Sequence, residues 1–186
     1  MKKLVFFTIT AFALGLTSST ISAQGISVEL DLNYNTPGGD FADSYDGGVG
    51  VSIHPRFNIN DKMAVGLSLG ATAFVGGDYS DPGSSVTSSV SAAGVVSILG
   101  TFQYKLLERK ITPYGELEVG SFKYTAGTVD AGTVITGATA FEDTSYFGFA
   151  PKIGFMAGFL NVYASYIAAG DLKYTQFGLG FRFGSK

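Results

Sequence analysis

Ile26-Ser27-Val28-Glu29-Leu30-Asp31-Leu32-Asn33-Tyr34 alternates apolar with polar residues over nine positions. Successive side chains of a strand point to opposite faces, so this stretch reads as a β-strand with one greasy face and one hydrophilic face. The far end of the chain repeats the pattern, with Phe177, Leu179, Phe181 and Phe183 separated by Gly178, Gly180 and Arg182. Between these ends, Val49, Val51 and Ile53 alternate with Gly50, Ser52 and His54, and Met63, Val65, Leu67 and Leu69 with Ala64, Gly66, Ser68 and Gly70. A fourth strand is expected over about 88–104 and a fifth over about 111–124, where Leu117 and Val119 oppose Glu116 and Glu118. A sixth, 145–158, sets Phe147, Phe149, Ile153 and Phe155 against Gly148, Ala150, Lys152 and Gly154. The seventh, 160–169, has no readable phase, because Val162 and Tyr166 share one face while Tyr163 and Ile167 share the other. The count is about eight strands.

The connectors alternate in length. Residues 58–61, 107–110 and 158–161 are tight turns, whereas 36–46, 76–87 and 126–144 are long and rich in Gly, Asp, Ser and Thr. Gly170-Asp171 is a shorter member of the long set. Strictly alternating long and short connections place the two sets on opposite rims of an up-and-down antiparallel sheet. Such a sheet escapes exposed edges only by closing into a barrel.

Composition says what surrounds that barrel. Charged residues make up 15% of the chain, against about 25% in soluble domains, and the mean hydropathy is +0.27. Yet after residue 23 no unbroken apolar run reaches the roughly 18 residues that a membrane helix needs. The chain opens with Lys2-Lys3, an apolar run over 4–16, and a small, polar stretch ending at Ala23, the order of a cleavable signal peptide. Residues 1–23 are therefore expected to be removed, leaving 24–186 as one barrel domain with ten basic and fifteen acidic side chains. Cysteine is absent, which excludes a disulfide framework, a thiol nucleophile and a thiolate metal site.

The polar face settles which way the barrel turns. Its mid-strand positions are mostly Gly, Ser, Ala and Thr, with acidic Glu29, Asp31, Glu116 and Glu118 matched by basic Arg56, Lys105, Lys152 and Arg182. An eight-stranded lumen has room only for side chains, and small residues with a few neutralised long ones fill it. Facing lipid, the Arg and Lys would cost about 2–4 kcal/mol each near the midplane. The expectation is a closed, all-β, antiparallel, up-and-down transmembrane barrel. Its lumen is plugged by these eight charges, with Glu29 pairing Arg182 across the seam of first and last strands and Lys105 and Arg182 as counter-ions of Glu116 and Glu118. Short turns and both termini belong to the periplasmic side, and the long loops face outward.

On these residues the chain resembles the small eight-stranded outer-membrane barrels of the OmpA transmembrane-domain and OmpX type, grouped as outer-membrane β-barrel domain proteins. The likeness covers residues 24–186 and rests on the strand pattern, the 26–34 strand and the Phe177-Gly178-Leu179-Gly180-Phe181-Arg182-Phe183 ending. That ending resembles the aromatic last-strand signal read by the outer-membrane assembly machinery, although here Gly184-Ser185-Lys186 follow it. The resemblance implies a monomer in the outer membrane of a Gram-negative-type bacterium.

Residue types used in catalysis occur on the same pattern. Ser52 and His54 share a face and are the nucleophile and base types of a hydrolase. The sole histidine also fits a hydrogen-bonded lumen residue, and no acid stands near it in sequence. Glu116 and Glu118 have the spacing of paired carboxylates but are expected as counter-ions. No catalytic residue, cofactor or metal is assigned, and no basic patch suggests nucleic acid. A structural or surface-interaction role is therefore expected, with a narrow ion-conducting pore as the alternative and a lipid-A-modifying enzyme behind it. The long loops carry Asp40, Asp43, Asp46, Asp78, Asp81, Asp130, Glu142, Asp143 and Asp171, a set that serves to keep the loops soluble and, in a sharper reading, suits divalent cations that bridge to lipopolysaccharide phosphates. Phe41, Tyr45 and Tyr79 in these loops are expected to be available for protein contacts.

Overall fold

The computed structural model describes residues 25–79, 89–107, 109–130 and 139–184; the leader segment lies outside them. Eight strands follow in order: β1 (Ile26–Pro37), β2 (Gly47–Asn58), β3 (Met63–Tyr79), β4 (Ser89–Lys105), β5 (Thr112–Asp130), β6 (Thr139–Ala157), β7 (Leu160–Ala169) and β8 (Leu172–Gly184). Each pairs antiparallel with the next, and β8 pairs with β1, Glu29 standing opposite Arg182. Closure gives every strand two partners, which a sheet needs wherever no water can satisfy a free edge. No helix among the described residues is long and apolar enough to cross a membrane.

Burial is inverted relative to a water-soluble barrel. Leu32 is 58% and Phe147 76% exposed on the outer face, while Glu29 is 0% and Lys152 2% exposed in the lumen. On β7 the outward residues are Leu160, Val162, Ala164, Tyr166 and Ala168, which fixes the phase that two tyrosines on opposite faces had hidden. The apolar band has a visible upper limit. On β5 the outward series runs Leu117, Val119, then Ser121, Lys123 and Thr125; on β6 it runs Phe149, Phe147, then Ser145 and Asp143. Lys123 and Asp143, both half exposed, pair at 2.7 Å just above this limit. The outward face of β6 from Phe147 to Phe155 covers nine residues. At about 3.4 Å per residue and a tilt near 40° that is roughly 20 Å, and Phe159 in the next turn extends it towards the ~25 Å of a lipid-facing band.

Strands rise further above the band than the sequence pattern indicated. Residues 126–144 were expected as a loop, but β5 continues to Asp130 and β6 begins at Thr139, with Thr125 opposite Asp143 and Thr128 opposite Thr139. Above the lipid neither face has to be apolar, so the alternation vanishes while the hydrogen-bond ladder carries on. β3 likewise runs to Tyr79. The tight ends match their residues: Gly158 and Gly170 take φ of 64° and 60°, left-handed values that two-residue hairpin turns demand.

Candidate functional site: a two-storey lumen

The turn half of the lumen is ionic. Arg56 is its hub: Nη1 stands 3.1 Å from Glu29 Oε1, and Nη2 donates to Glu116 Oε1 and Oε2 at 2.9 and 3.0 Å. Lys152 Nζ donates to Glu118 Oε1 at 2.8 Å and lies 3.4 Å from Glu116 Oε1, with Tyr163's ring centroid 4.5 Å away. Arg182 reaches across the β8–β1 seam to Glu29 Oε2 at 2.9 Å and donates to Gln103 Oε1 at 3.2 Å. Neutral side chains add hydrogen bonds to Glu116 and Glu29. Gln103 donates to Glu116 Oε2 at 2.6 Å, and Asn161 donates to Glu29 Oε1 and to the Tyr114 hydroxyl, both at 2.9 Å. Buried ions survive only when paired and hydrogen-bonded, and each carboxylate here meets at least one cation or the histidine.

Seven of the eight charges named from the sequence meet in this cluster. Lys105 does not: Glu116 is held by Arg56, Lys152 and Gln103, and Lys105 stands half-buried at the turn rim, where its N–H donates to Lys62 O. The reason is one of level, since Lys105 is the last residue of β4 and pairs with Tyr114, whereas Lys152 is directly opposite Glu116. Gln103, Tyr114, Asn161 and Tyr163 were missed. Their inward parity was the available signal, but amides and tyrosines do not stand out as charges do. Glycines make the tyrosines possible, because a side chain at Gly178 would strike the Tyr163 ring and one at Gly154 the Tyr114 ring.

His54 sits among acids that are distant in sequence. Its Nε2 is 3.0 Å from Ser52 Oγ and 3.0 Å from Asp31 Oδ2, and its Nδ1 is 3.6 Å from Glu118 Oε1. A general base needs a free ring nitrogen aimed at the serine proton. Here that nitrogen is shared with a carboxylate in a sealed interior. His54, Glu116 and Glu118 bring ligand-type atoms within 4.8 Å of one another, the spacing of a metal site. The Lys152 ammonium, in contact with both carboxylates, already holds the cation seat between them.

The loop half of the lumen is aromatic. A short 3-10 turn, Gly39–Asp43, follows β1 and carries Phe41 down into the mouth. Its ring lies 4.9 Å from Phe74, 4.8 Å from Tyr45 and 6.0 Å from Tyr124, and Phe74 meets Tyr174 edge-on at 5.2 Å. Tyr45 and Tyr124 join their hydroxyls at 2.9 Å. Backbone bonds pin the segment on both sides, from Gly38 N to Lys173 O at 2.8 Å and from Asp46 N to Val75 O at 3.0 Å. Phe41 and Tyr45 are thus buried core residues, which corrects the expectation that these loop aromatics offer themselves to partners. The side chains of Asp78, Tyr79, Asp130 and Glu142, and residue Asp81 as a whole, lie outside the described residues. Val95, Leu99, Phe122, Ile167 and Leu172 complete this storey. Between the two storeys is a cavity of about 20 Å³ bordered by Ser52, His54, Ser68, Glu118, Lys152 and Tyr174, about the size of one water.

No family model and no curated protein matches the chain. Solved structures do. The outer membrane protein OprG from Pseudomonas aeruginosa aligns with a TM-score of 0.55 at 13% identity over 87% of this chain and 96% of that one. Ail, the attachment invasion locus protein of Yersinia pestis, aligns with a TM-score of 0.46 at 17% identity, covering 88% of this chain and all of Ail. Neisserial surface protein A aligns with a TM-score of 0.49 at 13% identity, covering 84% and 95%. The chain has the fold of the small eight-stranded outer-membrane barrels.

Proposed function

We propose that this chain is an integral outer-membrane barrel with a structural or surface-interaction role, neither a channel nor an enzyme. One observation carries the reading: the described part of the lumen is blocked by paired ions below and by a pinned aromatic cap above, with room between them for no more than about one water. A pore needs a wet path, and a side-chain-filled eight-stranded barrel has none. The working surface is then the outside: the band that meets acyl chains and the rim that carries Asp40, Asp43, Asp46 and Asp171. In this reading the loops stand outside the cell, both termini are periplasmic, and the barrel is a monomer delivered by the assembly machinery through β8. Divalent cations link its acidic loops to lipopolysaccharide phosphates. Recording from purified protein in planar bilayers tests it. The expected trace is flat; steady, high conductance favours the narrow-pore alternative and overturns the closed lumen. Cells carrying the parent chain and cells carrying a Ser52 or His54 replacement are expected to show the same lipid A. A lipid A change that depends on either residue would restore an enzyme.

A further inference from the structure

The two rims differ in charge. On the loop rim the described exposed charges are mostly acidic, Asp40, Asp43, Asp46, Asp143 and Asp171, with Lys123 and Lys173 among them. On the turn rim the β2–β3 and β4–β5 turns stand side by side, joined where Lys105 N donates to Lys62 O at 2.8 Å. Both turns are built rather than slack. Asn60 Oδ1 accepts from the N–H groups of Lys62 and Met63 at 2.9 and 2.8 Å, and Thr112 Oγ1 donates to Arg109 O at 2.8 Å. Among the described residues these turns expose Lys62, Arg109 and Lys110, with Asp61 as the exposed acid between them; the sequence adds Glu108 to the second turn. The second turn also exposes Leu106, Leu107 and Ile111, large apolar side chains beyond the ends of the strands. They continue the lipid-facing band directly, because Tyr104 and Phe102 precede them on the outer face of β4.

Exposed leucines beside exposed cations suit one environment: the boundary where acyl chains end and phosphates begin. We infer that the turn rim at Lys62, Arg109 and Lys110 binds the phosphate headgroup of an anionic phospholipid whose acyl chains lie against Leu106, Leu107 and Ile111. The inference rests on the membrane reading above and adds to it a lipid class and a leaflet. Basic residues near an anionic bilayer surface attract its headgroups, and the three, offset by Asp61 and Glu108 of the same turns, are expected to enrich anionic lipid about fivefold. The opposite rim, with its acids, repels the same headgroups, so the barrel carries its own orientation signal.

Native mass spectrometry of the folded barrel, released from vesicles of equal phosphatidylglycerol and phosphatidylethanolamine, tests the site. The parent chain is expected to retain phosphatidylglycerol preferentially. The triple variant Lys62→Gln/Arg109→Gln/Lys110→Gln is expected to lose that preference, while Asp40→Asn/Asp43→Asn/Asp46→Asn keeps it. Inorganic phosphate added to excess is expected not to displace the lipid; displacement would mean a free-phosphate site and overturn the role given to the leucines. Equal retention of both lipids by the parent, or an unchanged preference in the basic-rim variant, overturns the inference. Gel mobility before and after boiling reports insertion separately: a chain that never inserts refutes the membrane reading itself, whereas one that inserts without lipid preference refutes only this site.

Discussion

The two halves of the lumen solve one packing problem with opposite chemistry. The turn half is filled by long ionised side chains whose positions are dictated by partners, Arg56 between Glu29 and Glu116 and Lys152 between Glu116 and Glu118. The loop half is filled by rings whose positions are dictated by shape, with Phe41 inserted from a loop among Phe74, Tyr124 and Tyr174. Ionic filling is unforgiving, because removing one member strands the others in a dry interior. Aromatic filling is graded, because truncation leaves a cavity that neighbours partly close.

The largest difference is expected at Glu116. Glu116→Ala leaves Arg56 and Lys152 short of a shared carboxylate and is expected to cost about 3–5 kcal/mol, read as the urea midpoint of the vesicle-inserted barrel by gel mobility. An unchanged midpoint would mean that the ion cluster is ornamental. Phe41→Ala, on a loop that can relax, is expected at the lower end of core truncations, about 3 kcal/mol. It also removes the cap, so a small water-soluble thiol reagent should label a Ser52→Cys protein faster once Phe41→Ala is added. Gly178→Ala forces a methyl into the Tyr163 ring and is expected to cost about 1–3 kcal/mol; an additional Tyr163→Phe change should not relieve it, whereas Tyr163→Leu should.

The smallest effect lies outside the lumen. The Lys123 and Thr125 hydrogen bonds hold the exposed Asp143 carboxyl below its ordinary value. A depressed carboxylate contributes stability above its unfolded pKa and loses it as pH falls through the folded one, so any contribution fades on acidification. Exposed to water and salt, that contribution is slight. Lys123→Gln is expected to leave the urea midpoint unmoved at neutral pH, and a clear loss there would mean that this pair is less solvated than its exposure implies.

What could be read in the sequence follows from where lipid touches the chain. Within the band, alternation is enforced, and β1, β2 and β8 were legible residue by residue. On β7 tyrosines serve both environments, Tyr163 beside Lys152 and Tyr166 against lipid, and the pattern cancels. Above the band nothing enforces alternation, so the tall β5–β6 hairpin looked like a loop. The ionic storey was legible because charges are conspicuous on a face of glycine and serine. The aromatic storey was not, since Phe74 and Phe122 share the parity of inward Ser68 and Glu118 but resemble in side chain the lipid-facing residues around them. His54 looked isolated because its acids, Asp31 and Glu118, come from other strands.

Everything depends on which face meets lipid, and the chain contains no tryptophan, so single reporters can be placed without background. Phe147→Trp on the outer face of β6 and Phe122→Trp on the inner face of β5 lie at one level of the ladder, Phe147 being opposite Ser121 and Phe122 opposite Tyr146. In vesicles with brominated acyl chains, fluorescence of the Phe147→Trp protein should be strongly quenched and that of the Phe122→Trp protein spared. Quenching of the Phe122→Trp protein, with the Phe147→Trp protein spared, would turn the barrel inside out and contradict the account.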